Sequence, residues 1–85
     1  MEAGMRRLIT AASQVGEILQ GRRKARQLPQ QELATKLGIS QSRLSTLEAD
    51  PSGLTLDRLI ALTNLLGLEL VLQEKEGDRG TKGEW

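Results

Sequence analysis

The sequence predicts a small, mainly α domain of four to five helices, then one C-terminal β-strand and a flexible polar tail. Three observations predict it. Aliphatic residues recur at helical spacing through residues 13–66, punctuated by capping residues and glycines. Leu68–Gln73 then alternates, with Leu68, Leu70 and Leu72 on one face and Glu69 and Gln73 on the other. The remainder, EKEGDRGTKGEW, is polar and interrupted by three glycines. The expected organisation is an N-terminal arm over 1–12, a helical domain over 13–67, a strand over 68–74 and a tail over 75–85.

Each element has its own local reason. Ser13 is placed to accept from orphan amides, opening a first helix over Gln14–Arg26 with Val15, Ile18, Leu19 and Ala25 near one stripe. Gly16 and Gly21 weaken that helix by about 1 kcal/mol each relative to Ala, so packing must hold it. Pro29 suits the first turn of a second helix, Gln30–Leu37, with Leu33, Ala34 and Leu37 inward and Gly38 closing it. Ser40 caps a third helix, Gln41–Glu48, and Asp50-Pro51-Ser52-Gly53 has loop chemistry. Thr55 caps a fourth, from about Leu56 to Leu66, with Asp57 favourable in its first turn and Gly67 ending it. Arg7–Thr10 reads as a second, short extended piece.

Composition excludes much chemistry. Eighty-five residues make one domain, and at this size folding buries only about two-thirds of the exposable surface, so a lone monomer is marginal. Cys and His are absent, which removes disulfides, thiolate zinc sites, Cys/His nucleophiles and imidazole acid–base work. Carboxylates are scattered and no phosphate-cradling glycine motif occurs, so an enzyme is disfavoured and neither cofactor nor metal is expected. Tyr and Phe are also missing, leaving an aliphatic core. No apolar run has transmembrane length and MEAGMRRLIT lacks a signal-peptide core, so the expected place is the cytoplasm, on the nucleoid.

The net charge of +1 conceals an uneven distribution. Arg6 to Arg43 carries eight Lys/Arg against Glu17 and Glu32, while the rest is net acidic. That is the footprint of a polyanion-binding side, although a solvated helix surface reads the same way from charge alone. Arg22, Lys24, Arg26, Lys36 and Arg43 are the candidate phosphate contacts.

The informative stretch is QQELATKLGISQSRLSTLE, Gln30–Glu48. Two short helices meet across a Gly-Ile-Ser turn, and Ala34 is small enough for a close, steep crossing. With Leu44 and Leu47 inward, helical geometry sends Gln41, Ser42, Ser45 and Thr46 outward. A merely solvated face more often carries Lys and Glu; this one donates and accepts hydrogen bonds, as base edges require. Ser40, at the helix start, belongs to the same candidate reading set.

This stretch resembles the Cro/C1-type (XRE) helix-turn-helix family, with a lambda-repressor-like fold, over roughly Ser13–Leu66. The resemblance implies that Gln30 touches a phosphate and braces the recognition helix, with Gln31 beside it on the phosphate side. It implies that Gln41 is the first base-contacting position and that Ser42, Ser45 and Thr46 are the others. It further implies an ion pair, Arg23 with Glu48, tying the first helix to the third and leaving Arg22, Lys24 and Arg26 free for phosphates. Two departures stand out. Pro29 replaces the usual Ser/Thr cap, and Gln27 stands where Gly is common, so this turn is expected to manage without a positive φ.

The last third is similar to the HipB-type antitoxins: a strand rather than a fifth helix follows the fourth, Asp50-Pro51 follows Glu48, and Glu84-Trp85 closes the tail. That resemblance implies a homodimer that represses its own operon and holds a HipA-type serine/threonine kinase toxin inactive, with Glu84 and Trp85 docked on it. The alternative is a stand-alone XRE-family repressor without a toxin partner; a pure protein-interaction module is a third class.

A dimer is also expected from the residues. Leu56, Leu59, Ile60, Thr63 and Leu66 form a stripe that Leu62 and Leu65 widen beyond what a one-sided helix needs, although a helix buried within its own chain would look similar. A lone strand needs a partner for both edges, either Arg7–Thr10 or its own copy. The expected interface is Leu62, Leu65, Leu68, Leu70, Val71 and Leu72. Two recognition helices would then span half-sites of a palindromic operator about 34 Å apart.

Overall fold

The computed structural model describes residues 6–76. Four α-helices follow in order: α1 Ala12–Ala25, α2 Gln30–Leu37, α3 Gln41–Ala49 and α4 Leu56–Leu65, with a single 3₁₀ turn at Pro51–Gly53. Helices α1 and α2 both pack against α3, and α4 closes over α2. Leu19, Leu33, Ala34, Leu44, Leu62 and Leu66 form the centre of the core, with Val15, Leu28, Leu37, Ile39, Leu54, Leu59 and Leu68 around it. Each fully buried leucine contributes about 1.5–3 kcal/mol through removal from water.

The start of α1 differs from the expected one. Ser13 does not cap it; Ala11 is the cap residue, and the Gln14 carboxamide oxygen accepts from the Thr10 and Ala11 amides at 2.6 and 3.0 Å. A side chain reaching back from the third helical position satisfies the same donors that a serine cap would have served from the front. The inward face of α1 is Gly16, Leu19 and Arg23, whereas Ala25 is exposed. Gly16 lies against the Glu48 carbonyl and the Pro51 ring, so a β-carbon there would collide with the carbonyl and crowd the ring. What weakens the isolated helix allows α1 to approach α3.

Helices α1, α2 and α4 end alike, each with paired Schellman bonds. Leu28 bonds Arg23 and Gln27 bonds Lys24; Ile39 bonds Ala34 and Gly38 bonds Thr35; Leu68 bonds Thr63 and Gly67 bonds Asn64, each amide donating to a carbonyl. The motif requires a left-handed residue, supplied by Gly38, by Gly67 and, at the first junction, by Gln27 with φ of 56°. The expectation that Gln27 avoids positive φ is therefore corrected: the Schellman bonds impose it despite the β-carbon.

Pro29 stands just outside α2 as its cap residue, with no side-chain bond. Ser40 and Thr55 cap α3 and α4, their hydroxyls accepting from the Arg43 and Arg58 amides at 3.0 and 3.1 Å. Asp50 accepts from the Ser52 amide and hydroxyl, which winds the expected loop into the 3₁₀ turn and seats Pro51 in the interior.

The interface expectation is corrected at Leu62, which is 1% exposed and belongs to the chain's own core. The exposed apolar positions of α4 are Leu56, Ile60 and Leu65. Leu65 lies nine residues after Leu56, half a turn round the helix, so the two face opposite flanks. Leu68 packs on the core, whereas Leu70, Val71 and Leu72 are exposed. Among the described residues no strand is assigned: neither residues 7–10 nor residues 68–73 have a main-chain ladder partner. The two segments still meet, because Arg6 Nη2 donates to Gln73 Oε1 at 2.9 Å. Glu84 and Trp85 lie outside the described residues.

Candidate nucleic-acid interface

Helix α3 presents its polar side to solvent because Leu44 and Leu47 are locked into the core. Ser40, Gln41, Ser42, Ser45 and Thr46 are all exposed along that side. The Thr46 hydroxyl donates to the Ser42 carbonyl at 3.0 Å, so outward it offers lone pairs and a methyl group, and no hydroxyl proton. Ser40 and Ser42 hydroxyls lie 3.3 Å apart. Acceptors, hydroxyls and a methyl match major-groove base edges, including the thymine methyl.

Behind this face runs a chain of polar side chains. Arg23 grips Glu48 with two bonds, Nε to Oε2 at 2.7 Å and Nη2 to Oε1 at 3.1 Å, and its Nη1 donates to the Leu28 carbonyl at 3.1 Å. Glu48 Oε1 also accepts from Gln30 Nε2 at 3.0 Å, and Gln30 Oε1 accepts from Gln41 Nε2 at 3.4 Å. The Gln30 amide is thus oriented from the interior, and its oxygen in turn orients Gln41. The Gln41 carbonyl oxygen and one amide hydrogen remain free, which is the donor–acceptor pair that suits adenine N7 and N6.

The cations separate into distinct sets. Arg43 is exposed on α3 itself and Lys24 on α1, with the neutral amide of Gln31 exposed on α2. Arg22 is half-buried, with Nε donating to the Leu66 carbonyl at 2.9 Å. Arg22, expected to face phosphate, is tethered through Nε: a cation at the end of α4 satisfies an orphan carbonyl and the negative end of the helix dipole. Arg26 lies against the same end, its guanidinium occupying the space where Gly67 would carry a β-carbon. Arg26 and Lys36 also line a shallow groove with Leu28 and Leu65. Lys36 is six residues beyond Gln30, at the far end of α2 and well round from the face that meets α3. Sequence reasoning missed this groove and the tether of Arg22, because both depend on where α4 ends in space.

Among the described residues no cluster of three or more Asp and Glu could hold a metal ion, and no helix is long and apolar enough to cross a membrane. A family model described as helix-turn-helix matches residues 19–73, from the middle of α1 through the segment after α4. No curated protein matches the chain.

Proposed function

The chain belongs to the XRE-type helix-turn-helix family of DNA-binding transcription regulators, and from that premise we propose that it is a repressor binding a palindromic operator as a homodimer. The observation that carries this reading is the exposed row of Gln41, Ser42, Ser45 and Thr46, backed by the Arg23–Glu48–Gln30 chain. Gln41 and its neighbours read bases in the major groove. Arg43, Lys24 and Gln31 engage flanking phosphates, with Gln30 using its remaining amide hydrogen. The dimer face is Leu56, Ile60, Leu70, Val71 and Leu72, all exposed in the single chain. Leu72 at 99% exposure costs most in solution and gains most from a second copy. Selection from random duplexes tests the proposal: it should return a two-fold symmetric site with half-sites about one helical turn apart, ~34 Å. Asymmetric or random output would count against it.

The finer reading is an antitoxin that represses its own operon and neutralises a HipA-type serine/threonine kinase. Its support is the similarity carried by Asp50-Pro51, the extended segment after α4, and Glu84-Trp85. A stand-alone repressor is the second reading, favoured because the whole reading face lies within residues 12–66 and asks nothing of the tail. The neighbouring reading frame separates them: a kinase whose activity falls when this protein is added supports the antitoxin, and its absence supports the simpler repressor.

A further inference from the structure

The groove formed by Arg26, Leu28, Lys36 and Leu65 lies off the reading face and has no assigned task. Its walls combine two exposed cations with two leucines, one of them 37% exposed. Neither cation has a carboxylate partner: Arg23–Glu48 is the one salt bridge among the described residues. A segment pairing a carboxylate with a large apolar side chain would complement such a floor. The chain holds one such dipeptide with an aromatic residue, Glu84-Trp85, and Trp85 is the only aromatic residue in the sequence.

We propose that Glu84-Trp85 of the same chain docks in this groove, the indole lying on Leu28 and Leu65 beside the Arg26 guanidinium and the Glu84 carboxylate pairing with Lys36. Tryptophan is the best aromatic partner for a guanidinium and a frequent anchor in pockets. Nine residues follow Glu76, the last described one, and extend to about 31 Å. Tethering raises the effective concentration of the dipeptide at the groove to roughly millimolar, so weak contacts suffice. The docked tail also neutralises Lys36 and covers Arg26, withdrawing both from any polyanion. A partner that recruits the tail would have to displace it first. The inference goes beyond repression and requires no toxin.

The sequence provides its own probe, since Trp85 is the sole tryptophan and tyrosine is absent. Trp85 emission and its quenching by acrylamide are measured in the full chain, alone in buffer. Docking predicts a blue-shifted maximum and weaker quenching than in urea, both lost in Leu65→Asp and in Arg26→Glu, with folding verified by circular dichroism. Emission in the wild type already equal to that in urea, or a shift that survives both substitutions, would overturn the proposal. Mixing Leu65→Asp chains with excess Trp85→Leu chains tests the same-chain claim. Emission should remain red; recovery of the blue shift would assign the groove to the tail of a second copy instead.

Discussion

Arg23 on α1 and Glu48 on α3 meet through two parallel bonds of 2.7 and 3.1 Å with both side chains withdrawn from water. Breaking a buried pair by removing one partner strands the other charge, which typically costs about 3–5 kcal/mol. Arg23→Met should therefore lower stability by about that amount in urea unfolding, while Arg23→Met with Glu48→Leu should recover most of it. Equal midpoints for the single variant and the parent would remove the pair from the account of the fold.

Gly16 and Gly21 lie in the same helix and should respond oppositely to alanine. Gly21 has open space where a β-carbon would sit, so Gly21→Ala should stabilise by up to about 1 kcal/mol. Gly16 faces backbone and a proline ring that cannot step aside, so Gly16→Ala should cost about 1–3 kcal/mol. Urea midpoints of the two variants check both signs at once.

Gln27 holds a left-handed conformation that penalises an L side chain by about 1–2 kcal/mol. Glycine relieves it but loses about 0.4–1 kcal/mol through a freer unfolded chain. Gln27→Gly should thus gain about 0.5 kcal/mol in thermal or urea unfolding, and a loss would mean that the Gln27 side chain contributes more than its exposure suggests.

These cases mark what the sequence made legible. Gly38, Ser40, Thr55 and Ala34 were readable because each satisfies a local rule of capping or close crossing. The outward row on α3 followed from the phase of Leu44 and Leu47. The phase of α4 did not: with most of its positions apolar, no polar face distinguished buried Leu62 from exposed Leu56 and Ile60. Gly16 read as a weakness because its neighbours come from α3 and the 3₁₀ turn. Arg22 resembled every other surface cation until the end of α4 was placed beside it. The bond from Gln30 to Glu48 joins residues eighteen apart, a distance that periodicity does not address.

Asp50 supplies a pH dependence. Hydrogen bonds from the Ser52 hydroxyl and then its amide hold the Asp50 carboxyl below its ordinary value. A lowered folded-state value means stability present above the ordinary Asp range and lost as pH falls through the lowered one. Ser52→Ala should lower the melting temperature at neutral pH and so flatten the acid limb between about pH 2 and 5, leaving the most acidic end less affected. An unchanged acid limb would detach Asp50 from that titration.

The central claim is that Gln41 and its neighbours read base edges. Its most direct test is the affinity of Gln41→Ala for the selected operator and for a scrambled duplex, at two salt concentrations. The account predicts a loss of about 1–3 kcal/mol on the operator, none on the scrambled duplex, and an unchanged salt slope. Equal losses on both duplexes, or none on either, would contradict it.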